Sequence, residues 1–175
     1  MNNIIAIDPG SKGFVTFLSY NGEYDFYAIK DGDMLDFSER ISKFLDEKDP
    51  TRAHTHCIIE EVHAVFGSSA KSTFAFGEIN GFIKGFMVAH GVPYTLVAPK
   101  IWQANVWINQ DKIFKYGTDK DGKAKKSINT KSTSYNAARR LFPNIDLKRT
   151  PKCKSFDDNK VDSLLICEYA RRNNL

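Results

Sequence analysis

Residues 3–29, "NIIAIDPGSKGFVTFLSYNGEYDFYAI", decide the fold. The compact apolar run Ile4-Ile5-Ala6-Ile7 reads as a central strand that ends on Asp8. "GFVTFLSY" is rich in β-branched and aromatic residues and reads as a second strand. Asn21-Gly22 is the strongest short hairpin signal, and "EYDFYAI" after it reads as a third strand. Strands joined by hairpins are antiparallel, so the chain begins as a three-stranded meander. An acid placed directly after the first apolar run, and directly before Pro9-Gly10, is either a turn former or a functional carboxylate.

Outward from this stretch, the element types change. Asp33 can cap a helix whose apolar positions are Met34, Phe37, Ile41, Phe44 and Leu45. "HCIIEEV" is a further apolar run, and it too ends on acids, Glu60 and Glu61. After Ser72 the pattern is helical, with Ile79, Phe82, Ile83, Phe86 and Met87 on one stripe and Gly77, Gly81 and Gly85 spaced by four. Each glycine costs a helix roughly 1 kcal/mol against alanine. The spacing therefore implies close approach of a partner, either the sheet or a second subunit. "VPYTLVAP" reads as a short strand and "PKIWQANVWI" as a helix with proline in its first turn. "KYGTDKDGKAKK" reads as a polar loop, "NTKSTSYNAARRLFP" as a helix, "LKRTPKCKSF" as a basic linker and "DDNKVDSLLICEYARR" as a closing helix. Strands separated by helices favour parallel crossovers. The expected architecture is α/β, a mixed sheet whose first three strands are antiparallel, flanked by helices on both faces.

The chain has 175 residues, a length that suggests a single domain over 1–175. No apolar run approaches the ~20 residues of a membrane span. No secretory signal is visible, and Cys57, Cys153 and Cys167 are scattered in a way that suits reduced thiols and a cytoplasmic setting. The net charge is +4, and the cations concentrate in the second half. Lys112, Lys115, Lys123, Lys125, Lys126, Lys131 and Arg139 belong to a basic stretch that is an electrostatic footprint for nucleic acid. Phe114 and Tyr116 among those lysines suit stacking on bases.

Carboxylates stand at element ends. Asp8 closes the first strand, Glu60 closes the fourth, and Asp158 and Asp162 lie four apart at the start of the last helix, on one helix face. Any one of these alone is ordinary. Together they would repel unless a cation sat among them, and hard oxygen ligands select Mg²⁺ or Mn²⁺. Two such ions suit phosphodiester hydrolysis. Other readings are weaker. His54, His56, Cys57 and His63 lack a second ligand pair for zinc. Residues 8–13 lack the phosphate-loop spacing and precede a hairpin rather than a helix. Trp102 and Trp107 read as core residues.

Several stretches resemble the RuvC-type Holliday junction resolvases, most closely their bacteriophage branch. They are "IIAIDPGSKG", "CIIEEVHA", "FAFGEINGFIKGFMVAHGVPYTLVAPKIWQ", "KSTSYNAARRLFP" and "DDNKVDSLLICEYAR". The resemblance implies a ribonuclease H-like fold with a five-stranded sheet, a homodimer, and divalent-metal-dependent nicking of four-way and related branched DNA. Host bacterial cytoplasm would be the setting if the chain is phage-encoded. It implies that Asp8, Glu60 and Asp162 are metal ligands and catalytic residues. Cellular members place the remaining ligand three before the last acid, here Asn159. Phage-type members often place it four before, here Asp158, the favoured position, with Asp157 as a third candidate. Glu60 is favoured over Glu61, which points to the other side of an extended strand. The family's aromatic residue after the glutamate is replaced by His63, with Phe66 nearby, so His63 joins the expected DNA contacts. Rival readings are a ribonuclease acting on RNA–DNA hybrids, a junction-binding module that does not cut, and an actin-like ATP-binding protein.

Overall fold

The computed structural model describes residues 2–30, 32–62, 69–118 and 121–175. Strands β1 (Asn3–Asp8), β2 (Phe14–Leu18) and β3 (Tyr24–Ala28) form the expected meander. Helix α1 (Met34–Lys48) leads to β4 (Thr55–Glu60), and α2 (Ala70–Ala89) leads to β5 (Tyr94–Val97). Helices α3 (Pro99–Val106), α4 (Thr130–Leu141) and α5 (Asp158–Arg172) complete the layers. The sheet order is β3-β2-β1-β4-β5. β1 pairs antiparallel with β2 and parallel with β4, and β4 pairs parallel with β5. The mixed five-stranded sheet flanked on both faces is the architecture expected from the sequence.

The sheet splits the core in two. Ile4, Ala6 and Ile58 face Trp102, Val161, Leu164 and Leu165 of α3 and α5. Ile5, Ile7, Cys57 and Ile59 face Phe37, Ile41, Ile83 and Met87 of α1 and α2. Because both faces are covered, β2 is buried at every position. Asp33 caps α1 as expected, its side chain accepting from the Asp36 amide.

Two expectations change. "KYGTDKDGKAKK" is not a loop. It forms most of an antiparallel hairpin of β6 (Phe114–Thr118) and β7 (Ala124–Ile128), separate from the main sheet. The hairpin buries no apolar face, so it leaves no periodic signal. The second concerns Gly77, Gly81 and Gly85. Space is open within 4 Å of where a side chain would start at each, so they do not pack on the sheet. α2 buries Ile79, Ile83 and Met87 instead. Among the described residues, no helix is long and apolar enough to cross a membrane.

Candidate active site

Register brings the first two acids together. Ile7 pairs with Ile59 across the parallel β1–β4 ladder, so Asp8 and Glu60 leave the two strands side by side. Alternation places both on the face of Ile4, Ala6 and Ile58, toward α5. α5 crosses β1 and β2 on that face, and a Thr16–Ser163 hydroxyl contact of 2.9 Å ties it to β2. Its first turn carries Asp158. Asp162 begins the next turn, on the same side of the helix.

The loop after Asp8 is held tightly. A side chain at Gly13 would meet the Asp8 carbonyl oxygen at 2.3 Å, so only glycine fits this close return. Arg149 donates to the Lys12 carbonyl at 2.9 Å and pairs with Asp157 at 2.7 Å. Asn159 donates to the same Lys12 carbonyl at 2.8 Å. Asp157 also caps α5, its side chain accepting from the Lys160 amide. Asp157 and Asn159 therefore fasten the loop to the helix, whereas Asp158 makes no such tie and pairs with Lys131.

The electrostatics show an unbalanced cluster. Burial raises the Asp8 carboxyl well above the usual range, and the charges of Glu60, Asp162, Asp157 and Asp158 push it further the same way. Burial also drives Asp162 up to about 7; a hydrogen bond from Ser134 opposes this, and Glu60 and Asp158 reinforce it. Asp162 Oδ1 is buried with no hydrogen-bond partner among the described residues. Burial raises Glu60 as well, opposed by the Trp102 indole, which donates to Glu60 Oε1 at 2.9 Å. Asp158 is ion-paired to Lys131 in the first turn of α4.

As the side chains stand, no three His, Cys, Asp or Glu among the described residues are grouped to hold one ion. Glu60 is engaged by Trp102 and Asp158 by Lys131. The donor set nevertheless fits a hard divalent cation. It is all oxygen, neighbouring carboxylates raise the proton affinity of Asp8 and Asp162, and among the described residues one buried oxygen lacks a partner. The acids able to hold such an ion are Asp8, Glu60, Asp158 and Asp162.

Beside them opens a cavity of about 690 Å³, whose cationic lining is Lys12, Lys30, Lys131 and Arg149. Three of these four were not among the residues singled out in the sequence, nor was Trp102 given a polar role. The Pro-x-x-Trp motif was the available signal for Trp102. The contact itself joins residues 42 apart, one on α3 and one at the end of β4.

The expected DNA contacts scatter more than the acids do. Lys115, Lys125 and Lys126 lie on the hairpin and Lys123 in its connection. Lys131 pairs with Asp158. Lys112 donates to Asn109 at the hairpin's foot. Arg139 stands eight residues beyond Lys131 on α4, roughly 12 Å along the axis, and is not part of the acidic edge. His63 and Phe66 lie outside the described residues.

Solved structures share this fold. Thermus thermophilus RuvC in complex with Holliday junction substrate matches at TM-score 0.54 and 12% identity, over 98% of this chain and 96% of that one. The fold is that of RuvC. A second Thermus thermophilus RuvC structure matches at TM-score 0.52 and 15% identity, over 98% and 96% of the two chains. The yeast mitochondrial Holliday junction resolvase Ydc2 matches at TM-score 0.53 and 14% identity, over 97% of this chain and 77% of that one. No protein-family model matches the chain, and no curated protein matches it in sequence. The likeness to RuvC is one of fold, carried by topology and not by residue identity.

Proposed function

We propose that residues 1–175 form a single nuclease domain, a structure-selective endodeoxyribonuclease of the bacteriophage RuvC type that nicks Holliday junctions and related branched DNA. One observation carries the reading. Four carboxylates from β1, β4 and α5 lie at one edge of a RuvC-type sheet, near enough to raise the proton affinity of Asp8 and Asp162, and Asp162 has a buried oxygen without a partner among the described residues. Asp8, Glu60, Asp158 and Asp162 would hold two Mg²⁺ ions, with Mn²⁺ as substitute. Such ions would supply activation of water and stabilisation of the leaving 3′-oxygen, and the products would carry 5′-phosphate and 3′-hydroxyl ends.

The chain's own residues supply the rest. Trp102 orients Glu60 through its indole hydrogen bond, the kind of outer contact that fixes a ligand's direction. Lys131 offsets the Asp158 charge until the site is loaded. Lys12, Lys30 and Arg149 line a cavity able to take a flanking phosphate, a contact that positions the strand without reading its bases. Lys112, Lys115, Lys123, Lys125, Lys126 and Arg139 extend the positive surface, and His63 is a further DNA contact on this reading.

A homodimer would set two such sites on opposed strands of a junction. The open glycine face of α2, with Phe74 and Val88 both exposed, is the surface that supports this pairing.

The test is cleavage of labelled four-way, three-way, flap, linear duplex and RNA–DNA hybrid substrates, with and without Mg²⁺. The reading expects Mg²⁺-dependent nicking that favours branched DNA. Hybrid cleavage without branch preference would replace it with a ribonuclease. Junction binding without cleavage in any divalent metal would replace it with a binding module.

A further inference from the structure

The β6–β7 hairpin has two chemically distinct faces. Its register pairs Phe114 with Ile128, Tyr116 with Lys126 and Thr118 with Ala124. Alternation therefore gathers Phe114, Tyr116, Lys126 and Ile128 on one face, and Lys115, Gly117, Lys125 and Ser127 on the other. Every position of β6 is exposed. Tyr116 is 78% exposed and Phe114 43%. The hairpin's main contacts are between its own strands, so core packing does not account for these aromatics.

An isolated two-stranded hairpin is marginal in water, yet this one is firmly rooted. Arg140 grips Asp111 through two hydrogen bonds, at 2.9 and 2.7 Å, just before the hairpin begins. The Ile113 amide donates to Thr133 Oγ1 at 3.0 Å, and the Asn129 amide donates to the Ile113 carbonyl at 2.7 Å. The exposed aromatics thus stand on a stiff mount. That mount is next to the acids. Lys126 is five residues from Lys131, at most ~18 Å of extended chain, and Lys131 is paired with Asp158. At ~3.4 Å per nucleotide along a helical strand, this distance covers about five nucleotides.

We propose that the Phe114–Tyr116–Lys126 face is a stacking platform for an unpaired base of the DNA substrate, held next to the cutting site while Lys115 and Lys125 face phosphates. The proposal rests on the nuclease reading for its substrate and specifies which feature of branched DNA the hairpin selects. Charge complementarity commits the surface to a polyanion. An aromatic ring adds to this only where a base exposes its π-face. Paired bases inside a duplex show only their edges in the grooves; bases freed at a branch point can meet Tyr116. Lys126 stands 4.0 Å from the Phe114 ring centroid and 5.9 Å from that of Tyr116. Its charge therefore lies over the Phe114 ring and farther from Tyr116, which leaves Tyr116 as the ring for the base and the ammonium within reach of the backbone of a nucleotide stacked there.

Binding in EDTA tests this without any cleavage, so its outcome is separable from that of the nuclease reading. Fluorescence anisotropy would compare an oligo-dT strand of about a dozen nucleotides with a duplex of equal length. Tyr116→Ala should weaken oligo-dT binding roughly tenfold and change duplex binding by less than about twofold. Tyr116→Trp should restore oligo-dT binding, which a lost fold would not permit. Lys125→Ala should weaken both substrates. Wild-type oligo-dT affinity in Tyr116→Ala overturns the platform. Equal losses on both substrates also overturn it, as does no rescue by Tyr116→Trp. A change in sedimenting mass with DNA affinity intact would make the face a protein contact instead, and overturn the proposal.

Discussion

The acidic edge and the basic hairpin meet at Lys131, and they are built in opposite ways. The acids stand on the ends of buried strands and on a helix packed across the sheet, so their positions are fixed by the core. The hairpin carries its cations and rings into solvent and is anchored at its foot by Asp111–Arg140 and Thr133. Chemistry that needs carboxylates held together against repulsion sits where packing can impose it. On the proposed reading, contacts with a long polyanion sit where the surface is free to reach.

Four substitutions would break or sharpen that contrast on its acidic side. The largest effect is expected at the start of α5. Asp158→Ala should cut the nicking rate by roughly 10²–10³-fold. Asn159→Ala should act mainly on stability, through the lost hydrogen bond to Lys12. Equal effects on rate would remove Asp158 from the ligand set. Next comes Trp102→Phe, which keeps an aromatic ring in the core but frees Glu60. Metal affinity and rate should fall by about 10–100-fold, with junction binding in EDTA unchanged. A rate equal to wild type would leave the indole a packing group only.

The smallest effect is on stability. Asp162 holds its proton to about 7 in the folded chain, whereas the unfolded chain releases it near 3.8. The stability this gives is present below the unfolded value and is lost as pH rises through the folded one. Each tenfold difference in proton affinity between the folded and unfolded chain is worth about 1.4 kcal/mol. In EDTA, Asp162→Asn should therefore raise the melting temperature at pH 8 but hardly at pH 4. A gain equal at both pH values would show that charge repulsion is not the cause.

The same contrast explains what was legible in the sequence. The acidic edge was readable because Asp8 and Glu60 each follow an apolar run, and burial imposes such runs. Asp158 and Asp162 were readable from helical spacing. The sheet order follows from a meander and two crossovers. The hairpin was missed although Asp121-Gly122 is a hairpin turn signal, with Gly122 at φ +77°. Its flanking strands alternate lysine with aromatic and small residues and have no core to face, so they read as loop. The Trp102–Glu60 and Asn159–Lys12 bonds join distant parts of the chain, and no local pattern announces them.

The convergence of the acids on divalent metal is tested most directly by Mn²⁺ titration followed by electron paramagnetic resonance. The protein would be bound to a four-way junction carrying uncleavable linkages at the branch. The account predicts two Mn²⁺ bound per wild-type chain beyond those held by the DNA alone, and a clear loss in Asp8→Asn with junction affinity retained. Wild-type protein that binds the junction yet adds no Mn²⁺, or Asp8→Asn that binds as many ions as wild type, would contradict it.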